Sequence, residues 1–368
     1  MESRKLFAAI AVVIVVVAGI GIASYSLSQT SGPDGDTITD ARGREVAVPE
    51  NINSILGIKS CSLELISFFE VVDKVRYLDV NESFDENDRT HTLVLEEKLK
   101  GLPRVDPNSA EQIIVADPDL IISSTVSVSA LDEEQRKYGI PVFAINADLE
   151  FGADFDKQLL TLGTVFGEEK RATELVTGIN AMITGITGKL SPPSSGTPSG
   201  GFTTAYACGM NFYGSGSFLK TSGDYLPFTY SYIQNVSPSS IAGVGKQPYN
   251  VGEETVISYN PQYIFIDSGG LNATVGYIHD HNSTVGNIEA IKNGNVYSTM
   301  VYKAWGTNWL NQLVNVHYVA KVMHGDVFDW NFEEKADEVV QLFYPGTSVT
   351  YADIVAAQSG NGCAKVIL

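Results

Sequence analysis

Short apolar runs alternate with amphipathic stretches through most of the chain, and this alternation predicts an α/β protein. The runs are rich in β-branched residues and are bounded by polar or proline-containing segments, as buried strands are. The stretches between them repeat apolar residues at helical spacing, which predicts helices packed on a largely parallel sheet. The predicted strands are residues 54–58, 75–78, 120–123, 141–146, 263–267 and 295–298, and the predicted helices are residues 62–72, 109–116, 133–138, 253–257 and 310–323.

One amphipathic stretch, residues 168–190, is longer than the others. Its apolar positions form one stripe, which predicts a single helix of about 35 Å at about 1.5 Å per residue. Pro, Ser and Gly dominate the segment after it, and Tyr and Phe become frequent beyond that segment. The predicted organisation is an N-terminal α/β lobe over residues 37–167, a linker helix over 168–190, a loop over 191–200, a C-terminal α/β lobe over 201–344 and a tail without a clear pattern over 345–368.

The longest apolar run lies near the N-terminus, where residues 6–23 carry no charge and follow two basic residues. As a helix this run rises about 27 Å, near the lower limit for spanning a membrane and longer than a typical signal-peptide core. We favour an uncleaved membrane anchor over a cleaved signal for residues 1–24, with a flexible tether over residues 25–36. The basic residues keep the N-terminus cytoplasmic, so the remainder is predicted to lie on the outer face of the membrane.

Acidic residues outnumber basic ones by 43 to 24, and the net charge is −19. This charge opposes nucleic-acid phosphates, so we predict no nucleic-acid partner. The three cysteines lack zinc-ligand or redox-motif spacing, and both a single disulfide and three buried thiols remain open. Four Asn-x-Ser/Thr sequons agree with export and would make the chain a glycoprotein: Asn81, Asn235, Asn272 and Asn282.

The sequence contains no familiar catalytic motif. It lacks a Gly-x-Ser-x-Gly elbow, a phosphate-binding Gly-Lys-Ser/Thr loop and a His-Glu-x-x-His zinc motif. We therefore predict that the protein is not an enzyme. A membrane-tethered extracellular hydrolase, with a nucleophile and a base from distant segments, and an adhesive surface protein are the alternatives from other functional classes.

Residues 109–123 and 252–266 share one layout, in which a glutamate stands seven residues before a proline. In each copy the glutamate lies in the first turn of a short helix, where its charge is favourable. The proline then ends the helix and leads into a buried strand. Glu111 and Glu254 therefore occupy equivalent places in the two predicted lobes.

With these paired motifs, the chain resembles the substrate-binding proteins of iron-siderophore, haem and cobalamin ABC importers over about residues 37–340. Residues 38–49 (ITDARGREVAVP) and the paired motifs carry most of the resemblance; residues 138–142, 162–167 and 293–297 support it. The resemblance implies two Rossmann-like lobes joined by one long helix, with the ligand in the cleft between them. It also implies a monomer without an intrinsic cofactor, which delivers its ligand to a permease driven by an ATPase.

The resemblance implies a docking role for Glu111 and Glu254, which would meet arginines of the permease. The simpler alternative is that both only favour their helix N-termini. The implied ligand is an iron chelate, either a siderophore or haem, and a corrinoid is the alternative within the same class.

Loops after parallel strands are the expected ligand-binding positions in α/β lobes. The windows are residues 59–61, 79–83, 104, 123–125, 208–213, 267–270 and 302–309. Basic residues there suit an anionic chelate, and aromatic residues suit a large planar ligand. The predicted contacts are Lys59, Ser60, Arg104, Ser124, Phe212, Tyr213, Tyr302, Trp305 and Trp309, with Lys220 and Lys303 as further basic candidates. His279 and His281, expected on a surface loop, are weak metal-ligand candidates.

Overall fold

The structure is a computed structural model, and it describes residues 31–32, 35–84, 90–191, 203–211, 216–238, 247–303, 305–358 and 361–368. The predicted membrane or signal segment and most of the predicted tether lie outside these residues. No helix within the described ranges is long and apolar enough to cross a membrane.

Strands and helices alternate along most of the described chain, as the apolar pattern predicts. The strands are β1 (Ser31–Gly32), β2 (Gly35–Thr39), β3 (Glu45–Val48), β4 (Ile55–Ile58), β5 (Leu78–Asp79), β6 (Arg104–Val105), β7 (Leu120–Ser123), β8 (Val142–Ala144), β9 (Thr204–Cys208), β10 (Lys220–Thr221), β11 (Gln234–Asn235), β12 (Tyr249–Asn250), β13 (Tyr263–Asp267), β14 (Val296–Thr299) and β15 (Ala364–Lys365). The helices are α1 (Ser62–Ser67), α2 (Thr90–Val94), α3 (Glu96–Leu99), α4 (Ala110–Ala116), α5 (Val128–Tyr138), α6 (Ala153–Phe166), α7 (Glu169–Thr187), α8 (Leu226–Tyr230), α9 (Glu253–Tyr259), α10 (Leu271–Asp280), α11 (Asn282–Val285), α12 (Glu289–Lys292), α13 (Trp309–Met323), α14 (Phe332–Phe343) and α15 (Tyr351–Ala357).

The first lobe is a parallel sheet covered on both faces. Strands β4, β7 and β8 pair in parallel in that order, and the parallel pair β5–β6 lies beside β4. Alternate residues of these strands enter two different apolar clusters, one under α4 and α5 and the other under α1 and α6. Burial on both faces explains why the strands are continuous apolar runs in the sequence.

The antiparallel hairpin β2–β3 carries most of the opening motif and closes the edge of the first lobe. The buried Arg44 forms an ion pair with Asp40 at 3.0 Å and another with Asp132 of α5 at 2.8 Å. It also donates a hydrogen bond to the carbonyl of Val142 in β8 at 3.0 Å. The charged residues Asp40 and Arg44 of the motif therefore attach the hairpin to α5 and to the sheet.

The second lobe has a mixed sheet rather than the largely parallel one expected. Its centre, β9–β13–β14, is parallel, whereas β10, β12 and β15 pair antiparallel at its edges. Strand β15 comes from the tail for which no element was predicted, and α15 of the same tail packs on α14. The tail is thus part of the folded structure, and its short elements form because β14 and α14 offer surfaces to pair with and pack against.

The two lobes share one apolar core. A single cluster of buried residues runs from Phe155 of the first lobe through Ile179 of α7 to Trp309 and Val339 on the second-lobe side. Gly178 of α7 allows α14 to approach, because a Cβ at this position would lie 2.4 Å from Leu342 Cδ1. The linker helix is therefore held by packing against both lobes, which compensates for the glycines it contains.

Candidate functional site

The candidate site lies where the carboxyl ends of the strands of the two lobes meet. Cys61, in the loop after β4, places its Sγ 3.3 Å from the carbonyl oxygen of Thr307, in the loop after β14. Gly306 is in close contact with the same sulfur, because a Cβ on this residue would lie 2.3 Å from Cys61 Sγ. The φ angle of Gly306 is 116°, which also favours glycine. These two loops form one of the contacts between the lobes.

Backbone strain is concentrated in the predicted functional loops. Among the described residues, six non-glycine residues have a positive φ, and three of them, Lys59, Cys61 and Trp305, lie in the facing loops. Two more, Asp117 and Asn260, end the helices that carry the predicted docking glutamates. Such conformations persist where the surrounding structure enforces them, and they are enriched at functional sites.

Lys59 and Arg104 are both engaged by the protein. Lys59 Nζ forms an ion pair with Glu134 at 2.9 Å and a hydrogen bond with Thr125 Oγ1. Arg104 is exposed, donates to the carbonyls of Asp79 and Glu82, and lies 5.8 Å from the centre of the Phe84 ring. It borders an open cavity of about 610 Å³ with residues 80–84. The structure places Ser60 and Ser124 half-buried in the loops after β4 and β7.

The second lobe contributes a small polar cavity at the ends of β9 and β13, lined by Met210, Asn211, Ser222, Asp224, Pro248, Asp267, Tyr302 and Lys303. Asp267 is almost completely buried at the end of β13. Its two oxygens accept hydrogen bonds from the backbone N–H groups of Gly269 at 2.9 Å and Tyr302 at 2.8 Å. Asp267 falls in a predicted window, but Ser222, Asp224 and Pro248 lie outside all predicted windows and were missed.

Burial raises the pKa of Asp267 to about 7. The folded protein therefore holds this proton more tightly than the unfolded chain, so the contribution of Asp267 to stability is largest below about pH 4 and is lost as the pH rises to about 7. We expect the free energy of unfolding to fall between about pH 5 and about pH 8 more steeply in the wild type than in Asp267→Asn. Urea unfolding at both pH values measures this difference, and parallel pH profiles would rule out a titrating Asp267.

The predicted aromatic contacts separate into different environments. Tyr302 lines the second-lobe cavity, and Trp305 is half-buried in the loop that contacts Cys61. Trp309 does not line the cleft, and its prediction as a ligand contact was wrong. Its ring is fully buried, stacks on Phe155 with centroids 5.0 Å apart, and donates from Nε1 to the carbonyl of Leu149 at 2.8 Å. Phe212 and Tyr213 lie outside the described residues.

The two helices with the predicted docking glutamates have the same local structure. Both α4 and α9 have seven residues, and each ends at a left-handed residue that precedes a proline, with φ 45° at Asp117 and 42° at Asn260. Each then leads into a buried strand in the centre of its sheet. The repeated sequence motif is therefore a repeated structural unit.

The structure distinguishes Glu254 from its neighbour Glu253. The carboxylate of Glu253 accepts a hydrogen bond of 2.5 Å from the hydroxyl of Tyr277, and this bond lowers the pKa of Glu253. Glu111 and Glu254 are both exposed and form no hydrogen bond or ion pair with other described residues. Their carboxylates are thus available to a partner.

The His-Asp-His segment ends a helix and is not a surface loop as expected, since α10 continues to Asp280. His279 is exposed, whereas His281 stacks on Tyr277 with centroids 4.0 Å apart. Within the described residues, no group of three or more His, Cys, Asp or Glu side chains is arranged to hold a metal ion.

The three cysteines and the predicted glycosylation sequons lie in different local environments. Cys61, Cys208 and Cys363 are free, and burial raises the pKa of each thiol. Of the sequons, Asn272 and Asn282 are exposed, whereas the Asn235 amide donates to the carbonyls of Ser222 and Gly223 at 2.9 Å each. A glycan on Asn235 would have to replace these bonds.

Comparisons with known proteins agree with this architecture. The family model of the periplasmic binding proteins matches residues 78–300, more than half of the chain. The molybdate periplasmic binding protein MolA of Haemophilus influenzae, bound to molybdate, is 19% identical with a TM-score of 0.66, over 85% of this chain and 99% of that one. CeuE of Helicobacter pylori with Ni(II) bound is 14% identical with a TM-score of 0.61, over 87% and 98%. A protein of an ABC-type Fe3+-hydroxamate transport system from Saccharomonospora viridis is 17% identical with a TM-score of 0.53, over 78% and 98%.

These structural likenesses concern the fold, and no curated protein sequence shows significant similarity to the chain. The fold and the family match define a solute-binding component of an ABC transporter, a class that carries no intrinsic cofactor and catalyses no reaction. The chain belongs to the periplasmic binding protein family. Membership implies a location outside the cytoplasm and delivery of a ligand to an ABC permease.

Proposed function

We propose that the protein captures a ferric chelate of low net charge and presents it to its permease. The proposal rests on the predicted basic ligand contacts, because these side chains already bind other groups of the protein. Lys59 is neutralised by Glu134, so it offers no net charge to an anionic ligand, whereas Arg104 keeps its charge but donates to the carbonyls of Asp79 and Glu82. Lys220 and Lys303 are engaged as well.

The second-lobe cavity supplies no excess of positive charge, because Lys303 lies beside Asp224 and beside Asp267, whose pKa of about 7 leaves it partly ionised. A strongly anionic ligand, such as a ferric catecholate, would find no unbalanced positive charge there. A ferric hydroxamate chelate fits better, because its hydroxamate anions balance the charge of the iron. The fold relative from an Fe3+-hydroxamate transport system supports this ligand class. A corrinoid is the alternative, since it is also large and weakly charged.

Intrinsic fluorescence provides the test. A soluble form covering residues 25–368 is titrated with a ferric hydroxamate, a ferric catecholate, haem, cobalamin, molybdate and Ni2+. Saturable quenching by the ferric hydroxamate alone supports the proposal, and quenching by cobalamin alone selects the alternative. A preference for the catecholate or molybdate would contradict the argument from charge.

Trp305 is expected to contact the ligand because it is the half-buried aromatic residue of the interlobe loop. Trp305→Ala should weaken binding about tenfold or more, since burying a large apolar side chain contributes about 1.5–3 kcal/mol. Isothermal calorimetry measures the affinity, and Trp330→Ala, distant in sequence and packed on Phe328, is the control. An unchanged affinity in Trp305→Ala would remove Trp305 from the site.

We further propose that Glu111 and Glu254 dock the protein on the permease. Their exposure, their equivalent positions in the two lobes and the lack of partners among the described residues support this role. Residues 1–24 would hold the protein at the outer face of the membrane, so that docking occurs within the reach of the tether.

A further inference from the structure

The segment after β14 is held by side chains instead of by a neighbouring strand. Pairing of β13 with β14 ends at Thr299, and the backbone of residues 300–302 continues without a strand partner. Three buried amide side chains of α13 each bond to one of its three residues. Asn315 accepts from the N–H of Met300 at 2.8 Å and donates to its carbonyl at 2.9 Å. Asn311 donates to the carbonyl of Val301 at 3.1 Å, and Gln312 donates to that of Tyr302 at 3.2 Å.

We refer to these three residues as the amide clamp: Asn311, Gln312 and Asn315. All three are fully buried in a helix whose other buried residues, apart from His317, are mostly apolar. A buried amide is costly unless it is hydrogen-bonded, so this arrangement needs a reason beyond helix packing. The clamp holds the backbone that presents Tyr302 and Lys303 to the second-lobe cavity.

One member of the clamp also contacts the first lobe. Asn311 Oδ1 accepts a hydrogen bond of 2.9 Å from Thr90 Oγ1 of α2, and Thr90 is buried. The same amide therefore binds the first lobe through its oxygen and the cleft segment of the second lobe through its nitrogen. Glutamine is the other residue type with an amide side chain, and it is longer by one methylene.

We propose that the three residues of the amide clamp position residues 300–303 for ligand binding. The bond from Thr90 to Asn311 is the contact through which the first lobe holds these residues in the binding conformation. This inference rests on the proposed function, in which these residues border the ligand. It adds Thr90, Asn311, Gln312 and Asn315 to the residues that determine affinity, although none of them needs to touch the chelate.

Thr90→Val tests the link between the lobes, because valine keeps the shape of the side chain and removes the hydroxyl. Losing one hydrogen bond of about 0.5–1.5 kcal/mol should speed amide exchange in residues 300–303 about 2- to 10-fold and weaken ferric hydroxamate binding by a similar factor. Thr90→Ser keeps the hydroxyl and should restore both values. Hydrogen exchange is measured on the free protein, and affinity by calorimetry.

Gln312→Met tests the clamp from within the second lobe. It removes the bond to the Tyr302 carbonyl at similar side-chain volume and should speed exchange in the same residues without altering exchange in α2. Unchanged exchange at residues 300–303 in both variants, or failure of Thr90→Ser to restore it, would overturn the proposal. Faster exchange confined to α2 in Thr90→Val would also overturn it, since that pattern indicates local loosening of the first lobe.

The exchange experiment needs no ligand, so it separates the two ideas. If the wild type binds none of the tested chelates, the proposed function fails, while exchange at residues 300–303 still decides whether the clamp operates.

Discussion

Trp309→Ala is expected to lower the free energy of unfolding by about 3–5 kcal/mol, the typical cost of removing a large buried aromatic side chain. The ring is fully buried, stacks on Phe155 and meets Phe68 edge-on at 6.2 Å, and both of these residues belong to the first lobe. The substitution also removes the hydrogen bond to the carbonyl of Leu149. The loss should therefore affect the junction of both lobes.

Urea unfolding followed by circular dichroism measures this effect. Because the core is shared, we expect one cooperative transition that shifts as a whole in the variant. Trp305→Phe, at a half-buried position, is the matched control and should change the free energy of unfolding by less than about 1 kcal/mol. Two transitions, with only one shifted by Trp309→Ala, would show that the lobes unfold independently and would contradict a shared core.

Glu111→Ala combined with Glu254→Ala is expected to abolish most of the stimulation of the permease's ATPase by the loaded protein. Charge-assisted hydrogen bonds contribute about 1.5–3 kcal/mol each, so each substitution should weaken docking roughly 10- to 100-fold. Both glutamates are exposed, and neither lines the cavity beside Arg104 or the second-lobe cavity, so the affinity for the ligand should stay unchanged.

The test uses the permease complex reconstituted in liposomes, with ATP hydrolysis and complex formation as readouts. Glu253→Ala is the control, because Glu253 is adjacent to Glu254 but is bonded to Tyr277. Normal stimulation by the double variant would refute the docking role and leave the simpler explanation, that both glutamates favour their helix N-termini. A loss of ligand affinity in the double variant would instead place these residues in the cleft.

The sequence pattern predicted an element correctly where the residues of that segment alone determine its structure. Strands β7 and β13 lie at the predicted positions, because each is a continuous apolar run introduced by a proline turn and buried on both faces. The paired helices α4 and α9 were predicted for the same reason, since each has an acidic first turn and a proline soon after its last turn. The long amphipathic stripe correctly indicated α7, although the helix is shorter at both ends.

The roles of individual side chains were harder to predict, because they depend on which segments, distant in the sequence, come into contact in the fold. Trp305 and Trp309 stand in one predicted window, yet the left-handed turn at Trp305 leaves the first half-buried beside Cys61 and directs the second into the shared core. Asn311, Gln312 and Asn315 were visible as polar residues in an apolar helix, but their partners lie on residues 300–302 and on Thr90.

The sequence by itself determined the α/β class, the repeated glutamate units and the resemblance to importer binding proteins, because these follow from periodicity and from short motifs within a single segment. Only the tertiary structure decided which basic residues already bind other groups of the protein, which tryptophan is core and how the tail completes the second sheet. These properties arise from contacts between segments far apart in the chain, and such contacts are set by the packing of the whole fold rather than by any local preference.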